Sequence, residues 1–314
     1  MKYIRDLREG ERLSCVYLCK HRISATTKNG KSYETILLQD KTGQIEGKIW
    51  EPQSPAIEDT EDLDYAEITA EVTIFNNQPQ LNVKRVRRVH EGEYDPADYV
   101  PVSERPLDEM YNEINVLADS VENYHLKALL KAFFAEDQDF IEKFRRSSAA
   151  RSVHQAFVGG LMEHTINVAR ICDYLSKRYR KINRDLLITA ALLHDIGKTE
   201  ELSPFPRNDY TETGNLMGHI VKGAMMIDRK ADSIPDFPDL LRMELTHCIL
   251  AHHGELEFGS PKVPALIEAV ALNFADNTDA KLTIFSELLD NSPAGSDWLG
   301  FSKLLNGNLR RTKV

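Results

Sequence analysis

Between residues 11 and 89 short runs of aliphatic, β-branched and aromatic residues alternate with turn-forming ones: Val16-Tyr17-Leu18, Tyr33 to Leu38, Ile45 to Trp50, Ala66 to Phe75 and Gln80 to Val89. Lys28-Asn29-Gly30-Lys31, Asp40-Lys41-Thr42-Gly43 and Asn76-Asn77 supply the turn chemistry between them. Five strands in so short a stretch predict a small closed barrel, and the OB-fold is the commonest barrel of that strand count. On the third run Lys48 and Trp50 share the face opposite Ile45 and Ile49.

From Glu91 to Pro106 the pattern breaks into Pro96, Pro101 and Pro106 among charges, which reads as a linker. Beyond it the apolar residues recur at helical spacing, as in Leu126, Leu129, Leu130, Phe133 and Phe134. No further strand run and no internal repeat is visible. The expectation is a multidomain chain: an all-β OB-fold barrel over 1–90, a linker over 91–106, and an all-α helical bundle over 107–314.

Composition narrows the function classes. The 314 residues carry 39 Lys and Arg against 49 Asp and Glu, a net charge of −10, which excludes coating of nucleic acid by bulk charge. Residues 1–90 hold 14 basic and 14 acidic side chains, but five of the acids (Glu58, Asp59, Glu61, Asp62, Asp64) crowd one loop-like stretch, so the rest of the barrel is locally basic. A start lacking an apolar leader and the absence of a run of about 18 apolar residues point to a cytoplasmic protein with no membrane partner. Cys15, Cys19, Cys172 and Cys248 are too few and scattered for a disulfide framework and read as reduced core thiols.

The helical part concentrates histidines and carboxylates at inward positions. His164 shares a helix face with Val168, Ile171, Cys172 and Leu175, and an inward imidazole needs a partner. The apolar run from Arg184 to Leu193 delivers His194-Asp195 at its end, with Gly197 as the expected helix stop. Leu241, Leu245, Cys248 and His252 form another stripe with His253 beside it, and Asp276 ends the stripe Ala265, Ala269, Leu272. Several helices aiming imidazole and carboxylate groups inward demand a cation. Imidazole-rich, thiolate-free ligation suits Mn²⁺, Fe²⁺, Co²⁺ or Ni²⁺ better than Mg²⁺.

The order His164, His194-Asp195, Asp276 resembles the HD-domain metal-dependent phosphohydrolases, and the intervening His219 and His252-His253 resemble the members that hold two metals. That likeness implies one metal on His164, His194, Asp195 and Asp276, and a second on Asp195, His219, His252 and His253. Gly159 to Thr165, Leu192 to Lys198, Gly218-His219-Ile220, Ala251 to Gly254 and Gly259-Ser260-Pro261-Lys262, behind a barrel containing Asp40-Lys41-Thr42-Gly43, resemble the YhaM family of bacterial 3′→5′ exoribonucleases. The family implies manganese, single-stranded RNA as partner with single-stranded DNA as the alternative strand, and release of nucleoside monophosphates. Nothing after Leu289 matches a pattern.

Two cations roughly 3.5 to 4 Å apart need no protein nucleophile to cleave a phosphodiester. Lys198, three residues beyond Asp195, is either a phosphate contact or the cation of a helix's last turn. Lys262 is a phosphate contact or part of a rigid Pro261/Pro264 loop, and Asp279 reads as a supporting carboxylate rather than a ligand. On the barrel, Tyr17, Lys20, Arg22, Lys28, Lys31, Tyr33, Lys48 and Trp50 offer aromatic faces interleaved with cations, the means by which OB-folds hold single strands. Trp50 is equally a structural tryptophan, and Lys84-Arg85 with Arg87-Arg88 equally solvate an edge strand. The rival readings are an HD phosphohydrolase acting on nucleotides or cyclic dinucleotides, and a non-catalytic nucleic-acid-binding adaptor, which the intact ligand set disfavours.

Overall fold

The computed structural model describes residues 2–27, 29–75, 78–151, 155–290, 292 and 297–313. The expected turn contributions of Lys28 and Asn76-Asn77 lie outside the described residues. The chain divides into two compact units, Met1–Val102 with Phe205–Arg207, and Ser103–Pro204 with Asn208–Val314.

The first unit is a closed five-stranded barrel, β1 (Arg12–Thr26), β2 (Ser32–Asp40), β3 (Gly43–Ile49), β4 (Tyr65–Phe75) and β5 (Gln78–Arg88), in the order β1-β2-β3-β5-β4. All pairings are antiparallel except β3 with β5. This is the OB-fold arrangement. Strict alternation on β4 sends Ala66, Ile68, Ala70 and Val72 into the core beside Ile36, Leu38, Ile49 and Leu81. β1 runs well beyond its apolar triplet because a register shift between Cys19 and His21 bends the strand, and its polar outer half then pairs with β2. Tyr17 is fully buried and its hydroxyl donates to Lys2 O, so it belongs to the core and not to a strand-binding face. Part of the expected linker packs as barrel: Tyr94 stacks on Tyr65 at 3.7 Å, Tyr99 is buried, and Asp98 accepts from Tyr3 and Lys41.

The second unit is a bundle of α1 (Leu107–Asp119), α2 (Tyr124–Lys131), α3 (Gln138–Arg146), α4 (Gly160–Arg178), α5 (Arg184–Leu193), α6 (Lys198–Glu201), α7 (Glu212–Asp232), α8 (Asp239–Leu250) and α9 (Ile267–Asp290). Asn123, Asp137, Asn183 and Thr211 cap α2, α3, α5 and α7 by accepting from backbone amides of the first turn. The core runs from the phenylalanines 133, 134, 140 and 144 to the all-buried stretch Leu186–Leu193. Beyond the last helix the chain forms a small hairpin, β6 (Trp298–Ser302) with β7 (Gly307–Arg310), which corrects the expectation of no further strand. Strands of five and four residues, mostly exposed and broken by Gly300, are too short to show a period in sequence. All four cysteines are free. Among the described residues no helix is long and apolar enough to cross a membrane.

Candidate functional site

The seven expected ligands arrive on five separate elements. His164 lies in the second turn of α4, and Asp276 at mid-length on α9 behind buried Ala269, Leu272 and Ala275. Ala265, read as part of that stripe, precedes α9 and is exposed. His194-Asp195 and His252-His253 sit in turns just past the ends of α5 and α8. His219 follows a break in α7 at Gly218, whose φ of 69° is open to glycine at little cost.

Gly197 does not stop a helix in a left-handed conformation; its φ of −61° is right-handed. Its missing side chain serves contact instead: a Cβ there would lie 2.0 Å from the backbone carbonyl of His219. The turn bearing His194-Asp195 can therefore press directly on the kinked segment bearing His219.

These elements bring together two groups. His164, His194 and Asp276 each offer one ligand atom, as do His219, His252 and His253, and within each group those atoms lie inside 4.8 Å of one another. Asp195 stands between the groups. Its Oδ2 is 3.5 Å from His164 Nε2 and 3.3 Å from His194 Nε2, while its Oδ1 is 3.4 Å from His219 Nε2 and 3.7 Å from His252 Nε2.

In four of the five histidines the distal ring nitrogen is committed elsewhere. His194 Nδ1 donates to Ala191 O at 2.8 Å and His252 Nδ1 to Ile249 O at 2.7 Å. His164 Nδ1 donates to Asp279 at 2.7 Å, and His219 Nδ1 to Glu201 at 3.0 Å. Once its Nε2 has given up any proton, each of these rings turns that lone pair inward, as a metal ligand requires. Around His164 Nε2 stand His194 Nε2 at 3.2 Å and Asp276 Oδ1 at 3.2 Å, two acceptors that only a shared proton or a cation reconciles.

That arrangement needs positive charge at its centre. Burial alone would depress His164, but its bonds to Asp276 and Asp279 outweigh it and lift the imidazolium to about 9. Burial would raise Asp276 and Asp195, yet His164 for the first, and Lys198 and His194 for the second, hold both well below the usual carboxylate range. Burial, reinforced by His194 and His253, keeps His252 well below the usual histidine value and so neutral.

The fit to a cation is tested by what stays unmatched. Asp195 Oδ1, His219 Nε2 and His252 Nε2 are buried with no hydrogen-bond partner. Each orphaned atom costs about 1–3 kcal/mol. Three of them converge on one place, and a divalent ion is the species that removes all three penalties together. Imidazole and carboxylate donors without thiolate fit such an ion.

Lys198 lies within the site, its Nζ 2.7 Å from Asp195 Oδ2. Asp279 stands behind His164 rather than among the converging atoms. Glu201 was not legible: in sequence Lys198-Thr199-Glu200-Glu201 looks like a solvated charge run, and only the fold sets Glu201 against His219, 18 residues on. Burial would raise its carboxyl, but the His219 bond holds it below the usual range. Lys262 is exposed on the loop after α8.

On the barrel the expected cations are mostly engaged. Lys20 donates to the carbonyls of Pro206 and Arg207, Arg22 pairs with Glu34 and donates to Glu58 O, and Lys48 bonds Thr35 and Glu46. Strand-spanning carboxylates and carbonyls had no signature in spacing, and they narrow the expected contact set. Arg87 and Arg88 likewise pair with Glu67, Glu93 and Asp64. Lys31 is exposed, and Trp50 is 51% exposed with its ring 5.3 Å from that of Tyr33. Trp50 also borders a hollow of about 100 Å³ with Ser54, Ile57, Val83 and Lys84.

Residues 161–281 match the HD domain family. The HD domain and its histidine and carboxylate groups point to dependence on a divalent metal. The second OB-fold domain of replication protein A from Methanococcus maripaludis, solved by NMR, aligns with 30% of this chain and 98% of its own length at 15% identity and a TM-score of 0.22. A relative from Listeria welshimeri, 3′-5′ exoribonuclease YhaM, is 31% identical over 305 residues, covering 94% of this chain and 93% of the relative. An HD centre behind a five-stranded barrel, related over nearly its whole length at that identity, belongs to the YhaM family.

Proposed function

We propose that this chain is a metal-dependent 3′→5′ exoribonuclease that hydrolyses terminal phosphodiesters of single-stranded RNA to nucleoside monophosphates, using two Mn²⁺ ions. The observation that carries this reading is Asp195, whose two oxygens face two separate ligand groups. His164, His194, Asp195 and Asp276 would hold one ion, and Asp195, His219, His252 and His253 the other. When bound, such ions supply Lewis acidity that polarises the phosphodiester and offsets charge on the leaving oxygen.

The chain's own residues do the rest. Asp279 and Glu201 fix the rings of His164 and His219, so the donor atoms are in place before an ion arrives. Lys198 is poised to swing from Asp195 toward a non-bridging phosphate oxygen as a point charge. On the barrel, Trp50 and Tyr33 offer a stacking step for a base, with Lys31 and Lys84 exposed for the backbone.

Metal analysis and a time course on RNA labelled uniformly, alongside the same strand labelled at its 5′ end, test this. Mononucleotide products from the first time point, a strand shortening progressively from its 3′ end, and resistance of a circular strand are expected. Early release of mid-length fragments, or degradation of the circle, would overturn it.

A further inference from the structure

Helix α9 presents Asn273, Asp276 and Asp279 at successive spacings of three, and each meets a different part of the centre. Asp279 orients His164, and Asp276 joins the first group of donors. Asn273 reaches the second group from behind: its Nδ2 donates to the backbone carbonyl of His252 at 2.8 Å. The same amide fills the space beside Gly254, where a Cβ would lie 2.6 Å from Asn273 Nδ2. Gly254 has a φ of 81° and closes the turn by donating to Ala251 O at 2.9 Å. The ring of His252 is held independently through Ile249 O. What Asn273 adds is the placement of the turn's far half, which carries His253.

We propose that Asn273 is a positioning residue for the second cation, pinning the 251–254 turn to the helix that supplies Asp276 and so setting the spacing between the two ligand groups. This rests on the two-cation reading above. A side-chain amide suits the task because it donates to the His252 carbonyl while remaining neutral beside a cluster of imidazoles. Loss of an outer contact of this kind weakens metal affinity roughly 10–100-fold.

The test is Mn²⁺ binding to the full chain by equilibrium dialysis, with the metal-free unfolding midpoint and far-UV circular dichroism as checks of folding. Wild-type protein is expected to take up two equivalents. Asn273→Ala is expected to keep one at wild-type affinity and to weaken the other roughly 10–100-fold, with hydrolysis recovering as Mn²⁺ is raised. Asn273→Leu, which keeps bulk but cannot donate, is expected to behave alike and carries the test should the alanine variant not fold. Two equivalents at unchanged affinity in these variants, or equal weakening of both, would overturn the role of Asn273. A single equivalent in the wild type would instead overturn the two-cation reading, and the inference with it.

Discussion

Arg22 in the barrel and Asp195 in the helical unit are both shielded charges, and they are satisfied in opposite ways. Arg22 meets Glu34 and the Glu58 carbonyl, and Lys48, Arg87 and Arg88 each find a carboxylate of their own unit. Asp195 meets Lys198 with one oxygen and leaves the other, with His219 Nε2 and His252 Nε2, buried and unmatched. Among the described barrel residues Asn82 Oδ1 is the one such buried side-chain atom. The contrast teaches that a count of charged residues locates little. Charges already matched hold a fold together, whereas scattered orphans such as Asn82 Oδ1, Thr189 Oγ1 and Arg311 Nε mark nothing by themselves, and only unmatched atoms that converge on one point mark where something else binds.

The sharpest break of that contrast is Asp195→Asn, which keeps the shape and removes the charge between the two groups. Hydrolysis should fall at least about 10³-fold, since cation chemistry of this kind supplies several kcal/mol, and elemental analysis should show loss of metal. Full metal content in the variant would refute the assignment.

Gly197→Ala comes next. Its Cβ would collide with the His219 carbonyl, a backbone atom that cannot step aside. Overpacking of this sort costs about 1–3 kcal/mol or more, so a lowered unfolding midpoint together with weaker metal uptake is expected. An unchanged midpoint would show that the turn and α7 can separate freely.

A third comparison uses pH. His164 moves from an ordinary 6.5 to about 9 in the metal-free fold. A raised value means the folded state holds the proton more tightly, so its contribution, roughly 3 kcal/mol at 1.36 kcal/mol per tenfold, is complete below about 6.5 and lost as pH climbs through about 9. Metal competes for the same Nε2 and gains over that window. The difference in midpoint between Mn²⁺-loaded and metal-free protein should therefore widen from pH 6.5 to pH 9, and a constant difference would remove His164 from the metal site.

The smaller effects lie on the barrel. Trp50→Ala should cost about 1–3 kcal/mol of single-strand affinity, the worth of one stacked base, read by fluorescence titration with a labelled oligonucleotide. Lys48→Ala should leave that affinity within about twofold, because its half-buried ammonium is already engaged by Thr35 and Glu46 and is not free to meet a phosphate. A larger loss for Lys48 than for Trp50 would invert the comparison.

The barrel and the residues that gather into the two donor groups were legible for the same reason: both are costly to place anywhere else. Alternation along β4 has one sensible burial, and a histidine on an apolar stripe, like His164, has to be explained. The contacts of Glu201 and Asn273 were not legible, because polar side chains near charge runs look solvated until a distant element covers them. Gly197 was seen as important for a reason the fold replaces: a glycine after an apolar helix suggests a cap, whereas the close approach of α7 to its Cα leaves no trace in spacing. The barrel's paired cations were missed likewise, since partners on neighbouring strands lie 12 residues off for Arg22 and Glu34, and 20 for Arg87 and Glu67.

The ring locks also differ in how far along the chain they reach. His194 and His252 donate to carbonyls only three residues back, groups that any helix end leaves spare. His219 depends on a residue 18 positions away, and His164 on one 115 positions away. Short-range closures cost little entropy and form early, whereas distant ones wait for the last docking. Of the four imidazoles so locked, two should thus be preset as soon as α5 and α8 form, while the other two become competent only as α6 meets α7 and α9 meets α4. A nascent chain would carry half-prepared ligands without yet holding metal, and the arrival of α9 would be the moment at which it becomes an enzyme.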